Sequence, residues 1–231
     1  MLASDIINRA RVVLNDGDSV RWLDPEMMQW LTDGQRTIVL VRPDASVSNE
    51  VLTLVAGTQQ AIPPTYGYRL LDVVRNVSSS GPPVVGGRSI RYIDREVMDS
   101  QNTAWHSGTP SSTVTNFIFD NRDPKHFYVF PPATAGAKIE IIISRSPTDV
   151  TTTGQTLDLS DIYADPLLNY VLFRAYSKDA EFAQNAQLAS SYLQVFMSML
   201  GVKSKKDAAY SPDLNSKGAL PNATALQMEG V

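Results

Sequence analysis

No cysteine occurs among the 231 residues. That excludes a disulfide framework, a zinc ribbon and a thiol nucleophile, and it fits assembly in a reducing cytoplasm. Histidine is nearly as scarce. The two present, His106 and His126, form no ligand-spaced pair, and no HExxH or comparable metal constellation exists. Each reads as a loop or turn histidine. There is no basic excess either: the formal net charge is −4, which disfavours a sequence-reading DNA binder but not a surface past which DNA slides. No apolar run approaches the roughly 20 residues of a membrane span. No membrane anchor is therefore expected, and a chain that opens directly into an amphipathic helix shows no secretory leader.

Catalytic signatures are missing as well. There is no GxSxG elbow, and Gly86-Gly87-Arg88 lacks the GxxxxGK[ST] of a phosphate loop. Asn15-Asp16-Gly17-Asp18 lacks the alternating oxygens and terminal Glu of a calcium loop and reads as a turn. Asp158 and Asp161 are conceivable as an acid/base couple, but their place just before a helix favours capping and dipole stabilisation. Asn76-Val77-Ser78 and Asn222-Ala223-Thr224 match a glycosylation sequon that means little without a secretion signal. We assign no catalytic, cofactor-binding or metal-binding residue, expect no cofactor, and expect a protein that is not an enzyme.

What is present is an ordinary folded composition, 43% hydrophobic and 19% charged, long enough for one large domain or two small ones. Ser4 suits an N-cap for a first helix, with Asp5 near its positive end and Ile6, Ile7, Ala10, Val13 and Leu14 on one face. The turn residues 15–19 stop it. Asp24 as N-cap and Pro25 in the first turn start a second helix, lined by Met27, Trp30, Leu31, Gly34, Ile38 and Val41. Gly34 is tolerable there if a neighbouring backbone packs closely.

From residue 47 the period shifts to two. Strands are expected near 51–55, 69–77 and 90–93, with a Ser/Gly/Pro loop over 78–87 and a short helix capped by Asp94. Residues 113–145 read as a three-strand antiparallel meander, with the middle strand ending at Pro131-Pro132. Its aromatics Phe117, Phe119, Phe127, Tyr128 and Phe130 fit a core better than a nucleic-acid stacking platform. Helical spacing returns over 163–200, continuous or with a bend or break near 183–187, with a stripe through Leu168, Val171, Leu172, Ala175, Phe182, Ala186, Ala189, Leu193, Phe196 and Leu200. Asp179 falls on that stripe without an evident partner, and Gly201 suits a C-terminal cap. Lys203, Lys205 and Lys206 then mark either a solvated helix end or a contact for DNA or an acidic surface.

The fold expected is α+β: a helical bundle of two N-terminal helices plus a long C-terminal helix, with an inserted antiparallel β-rich domain and an extended C-terminal tail. The boundaries are 1–46 and 156–202 for the bundle, 47–155 for the insertion, and 203–231 for a flexible tail. The first two helices cannot hide their apolar faces alone, so packing against the last is the economical solution.

As an ordered set these pieces resemble the podophage head-to-tail adaptor proteins, the family that includes tail tubular protein A. The matching marks are the helix over 4–14 and the helix from Pro25 through Gln35-Arg36. They continue with Phe127-Tyr128-Val129-Phe130-Pro131-Pro132, then Leu167-Leu168-Asn169-Tyr170, the run from Arg174 through Glu181, and Tyr192, Phe196 and Leu200-Gly201. The resemblance covers residues 2–202 and carries no catalytic positions. It implies a structural virion protein at the head–tail junction, present in the host cytoplasm during assembly. Its implied partners are the portal protein, the tail nozzle and further copies in a ring, expected to be a dodecamer, with genomic DNA passing through the lumen. The alternative is a host-binding tail-fibre or baseplate module that uses the β-region.

Overall fold

The computed structural model describes residues 1–79, 81, 84–179, 181 and 183–210. The expectations for Phe182, for the middle of the 78–87 loop, and for the tail from 211 onward, with its sequon, lie outside the described residues. In chain order the elements are helices α1 (Ala3–Leu14) and α2 (Asp24–Val41), then strands β1 (Val47–Thr53), β2 (Gly57–Ala61), β3 (Arg69–Ser79), β4 (Val85–Ser89) and β5 (Arg91–Tyr92). Helix α3 (Arg95–Gln101) follows, then β6 (Asn116–Phe119), β7 (His126–Ala133), β8 (Lys138–Ser144), and helices α4 (Ala164–Lys178) and α5 (Ala183–Tyr210). The fold is α+β, as the periodicities indicate. Two compact units result: residues 1–42 with the chain from Thr148 onward, and Pro43–Pro147.

In the helical unit, α1 buries Ile6, Ile7, Ala10 and Leu14. It starts just before the expected Ser4 cap. Leu2 precedes the helix and donates its N–H to Asp5 Oδ2 at 2.9 Å, while the Ser4 N–H goes to the Thr153 carbonyl at 2.8 Å. Asn15 ends α1 at φ 52°, a left-handed conformation that asparagine tolerates. Pro25 lies in the first turn of α2 as expected, but Asp24 is not its side-chain cap. Arg11 Nη2 claims that carboxylate at 2.5 Å.

The helical stretch 163–200 is two helices, not one. The chain breaks after Lys178, and α5 folds back antiparallel on α4. Tyr176 stacks on Tyr192 with centroids 5.6 Å apart, Tyr170 meets Phe196 at 5.3 Å, and Asn169 Nδ2 reaches Met199 Sδ at 3.7 Å. Folding back lets α5 bury Ala189, Phe196 and Leu200, which a straight continuation would leave without a partner helix. Asp179, at the break, is held by Arg21 at 2.7 Å. Gly201 does not cap α5, which runs to Tyr210. The tail expectation is corrected for 203–210: lysine and alanine are good helix formers, and one glycine costs only about 1 kcal/mol.

Both N-terminal helices pack on α4. A Cβ at Gly34 would stand 2.9 Å from Tyr170 Cδ1 and 3.1 Å from Leu167 Cδ2. The close neighbour is thus a pair of side chains, not the backbone expected. Arg174–Asp33 at 3.1 Å and Lys178–Glu26 at 2.6 Å tie α4 to α2, and Arg9–Asp165 at 2.6 Å ties it to α1.

The second unit has two four-stranded sheets, ordered β1-β8-β3-β4 and β2-β7-β6-β5. The first is antiparallel throughout; in the second, β5 and β6 are parallel. Leu52, Leu70, Val73, Ile139, Ile141 and Ile143 of the first sheet share one core with Phe117, Phe127 and Val129 of the second. The aromatic-core reading holds for Phe117 and Phe127, with Phe119 packed against them. Tyr128 and Phe130 pack instead on Met98, Trp105 and Ile118.

The meander is corrected. β6 and β7 pair as expected, but β8 crosses to lie between β1 and β3. Alternation marks which side chains of Ile139, Ile141 and Ile143 face inward, not which sheet receives the strand. Strand β7 also continues through Pro131 and Pro132 to Ala133. β6 pairs with it only as far as Phe130, so that ladder asks neither proline for an N–H.

One buried amide joins the layers. Asn76 accepts from the Val114 N–H at 2.8 Å and donates to the carbonyls of Val114 at 2.7 Å and Arg88 at 2.8 Å. Asn76→Ala leaves the buried N–H and carbonyl of Val114 without a partner, together with the part-buried Arg88 carbonyl, and is expected to cost about 2–3 kcal/mol in urea denaturation. A loss below about 0.5 kcal/mol, well under the cost of one unsatisfied group, contradicts this account.

Candidate functional site

The polar residues singled out in the sequence are not brought together. His106 lies in a short turn, Trp105–Ser107, and stacks on Trp105 with centroids 3.6 Å apart. Its Nδ1 is 2.9 Å from Thr58 Oγ1. His126 opens β7 with Nδ1 2.9 Å from Asp123. Each histidine therefore has its own local partner. Trp105, the better buried neighbour, donates from Nε1 to Asp99 at 2.8 Å.

Asp158 and Asp161 serve separate contacts. Asp158 accepts from the Thr148 N–H at 2.6 Å and its hydroxyl at 2.8 Å, whereas Asp161 meets the terminal ammonium of Met1 at 2.6 Å. The capping role expected of them is replaced by these ties between distant segments. Asp16, from the partial calcium-loop match, turns inward. Its carboxylate accepts from the N–H groups of Val20 at 3.0 Å, Arg21 at 3.1 Å and Trp22 at 3.1 Å, with Arg11 beside it at 3.5 Å. Burial pushes this acid up, but those three donors and the Arg11 charge outweigh it and hold it below the ordinary carboxylate value. Among the described residues, no group of three or more His, Asp or Glu is placed to hold a metal ion. Among the same residues, no helix is long and apolar enough to cross a membrane.

What the molecule offers to its surroundings is surface. On the helical unit Val12, Val20 and Leu40 are 77–81% exposed, in elements otherwise stitched by ion pairs. In the β unit every residue of β4, including Gly86-Gly87-Arg88, is exposed. Single exposed aliphatics are ordinary; an uncovered strand edge is less so. Sequence reading missed that edge because glycine-rich β4 carries no alternating apolar signal. It also missed the Asp16 knot, since a turn aspartate looks the same whether it faces water or an arginine.

The chain thus forms a helical unit from its two flanking segments and a two-sheet insertion between them. A family model described as SU10 adaptor protein matches residues 1–216, and the chain belongs to the SU10 adaptor protein family. No curated protein matches the chain.

Proposed function

We propose that this chain forms a closed ring between the portal and the tail nozzle of a short-tailed phage, with genomic DNA passing through the lumen. The observation that carries this reading is an adaptor-family match extending over both compact units. The bundle of 1–46 and 156–202 serves as the repeated rigid wedge. The insertion of 47–155 provides a second contact surface, and the chain beyond residue 210 is the arm toward the portal or a neighbour. Twelve copies are expected. The protein does no chemistry: it is built in the host cytoplasm and ends at the head–tail junction of the virion. A net charge of −4 suits a lumen that does not trap DNA, because phosphate contacts dominate DNA affinity. The exposed Val12, Val20 and Leu40 are apolar contacts available to partners.

Native mass spectrometry of the full chain mixed with its matching portal tests the reading. The expected result is a complex with a fixed multiple of this chain per portal ring. Persistent absence of that complex contradicts the proposal.

A further inference from the structure

We propose that the free edge of β4 pairs with the free edge of β1 in the next copy, so that the first sheet continues from subunit to subunit. The inference rests on the ring reading above and names the surface that joins its copies.

The sheet order leaves β1 and β4 as its two edges. Because every neighbouring pair is antiparallel, β1 and β4 run in opposite directions. Setting β4 of one copy beside β1 of the next therefore prolongs the antiparallel alternation without turning a strand round. Two different edges of one sheet meeting in this way make a heterologous contact, the kind that closes rings. A free edge presents unpaired N–H and C=O groups, and proteins normally shield such edges. Among the described residues no strand pairs with the outer edge of β4, and its residues are exposed along the whole length of the strand.

Charge sets the register. Each edge strand holds one charged residue, Arg88 in β4 and Glu50 in β1. Glu50 accepts from Ser48 at 2.7 Å and stands 3.8 Å from Arg145, which leaves acceptor capacity for a second cation. With Arg88 opposite Glu50, Ser89 falls opposite Asn49, and both of these are exposed. Shorter β5, with two residues, offers no comparable edge on the second sheet.

The absence of native cysteine makes the test free of background. Facing Cα atoms of an antiparallel pair lie about 4.5–5.5 Å apart, inside the roughly 4.4–6.8 Å that a disulfide spans. Full-length Asn49→Cys and Ser89→Cys chains, assembled with portal under mild oxidation, are expected to give disulfide dimers only when mixed. The double variant is expected to give a ladder of oligomers on a non-reducing gel. Two results overturn the proposal while leaving the ring reading intact: an assembled complex whose double-variant chains stay monomeric, or dimers from Ser89→Cys alone. Failure of the unaltered chain to assemble overturns the ring reading and this inference with it.

A charge exchange gives a second measurement. Glu50→Arg is expected to weaken assembly roughly threefold to tenfold, as like charges directly opposite do. Glu50→Arg combined with Arg88→Glu is expected to restore it. Equal loss in the single and double variants overturns the proposed register.

Discussion

Phe196→Ala is expected to lower stability by about 3–5 kcal/mol, the usual cost of deleting a fully buried aromatic. Phe196 is 0% exposed and lies against the Tyr170 ring at the seam between α4 and α5. Its loss removes apolar burial and leaves a cavity between the two helices. Tyr170 also faces Gly34 of α2, so the damage reaches the N-terminal helices through that ring. Urea denaturation followed by circular dichroism reads the change as a drop in midpoint. Phe196→Leu, which keeps much of the volume, is expected to lose less than half as much. Equal losses in the two variants would show that the hairpin does not depend on filling this site.

Arg11→Ala is expected to lower the urea midpoint clearly, because it takes from Asp16 and Asp24 the one cation they share. Arg11 Nη1 donates to the Asp16 carbonyl at 3.1 Å and Nη2 to Asp24 at 2.5 Å. One side chain thus fastens the α1–α2 loop from two sides. The same knot predicts the acid limb of stability. Asp16 is held below its ordinary value of 3.8 in the folded chain. Its contribution is therefore complete above that value and is lost as pH falls through the lower folded value. Asp16→Asn is expected to be less stable than the unaltered chain at pH 7 and to lose less on going from pH 5 to pH 3. Asp120 is pulled down further, to about 2, by its hydrogen bonds from Arg122. That pair is solvent-exposed, so little of the slope should change in Asp120→Asn. Parallel pH profiles for Asp16→Asn and the unaltered chain would remove Asp16 from the account.

The two periodicities make much of the fold legible in the sequence. Ile6, Ile7, Ala10 and Leu14 at helical spacing, and the inward set Ile139, Ile141 and Ile143 at strand spacing, both lie in cores. Turn chemistry at 15–19 and the Asp94 cap also agreed with the structure, the latter through an N–H from Glu96 at 2.8 Å. Connectivity was harder. Nothing in the residues near 179–182 distinguishes a bent helix from a reversal, because the same apolar positions suit a core either way. The destination of β8 depended on partners about sixty to a hundred residues earlier, which local alternation does not encode. For the candidate surfaces, the limiting factor was chemistry. Strand edges use main-chain groups that all residues share, so β4 left no compositional trace beyond Gly86 and Gly87.

Strands β1 and β8 are neighbours over their whole length, from Val47 opposite Ser144 to Thr53 opposite Lys138, and the Arg145 N–H bonds the Ser46 carbonyl at 2.9 Å. The polypeptide therefore departs for its excursion and comes home at a single doorway one hydrogen bond wide. A splice made there needs no long connector, because the roughly hundred residues beyond it form a compact unit of their own.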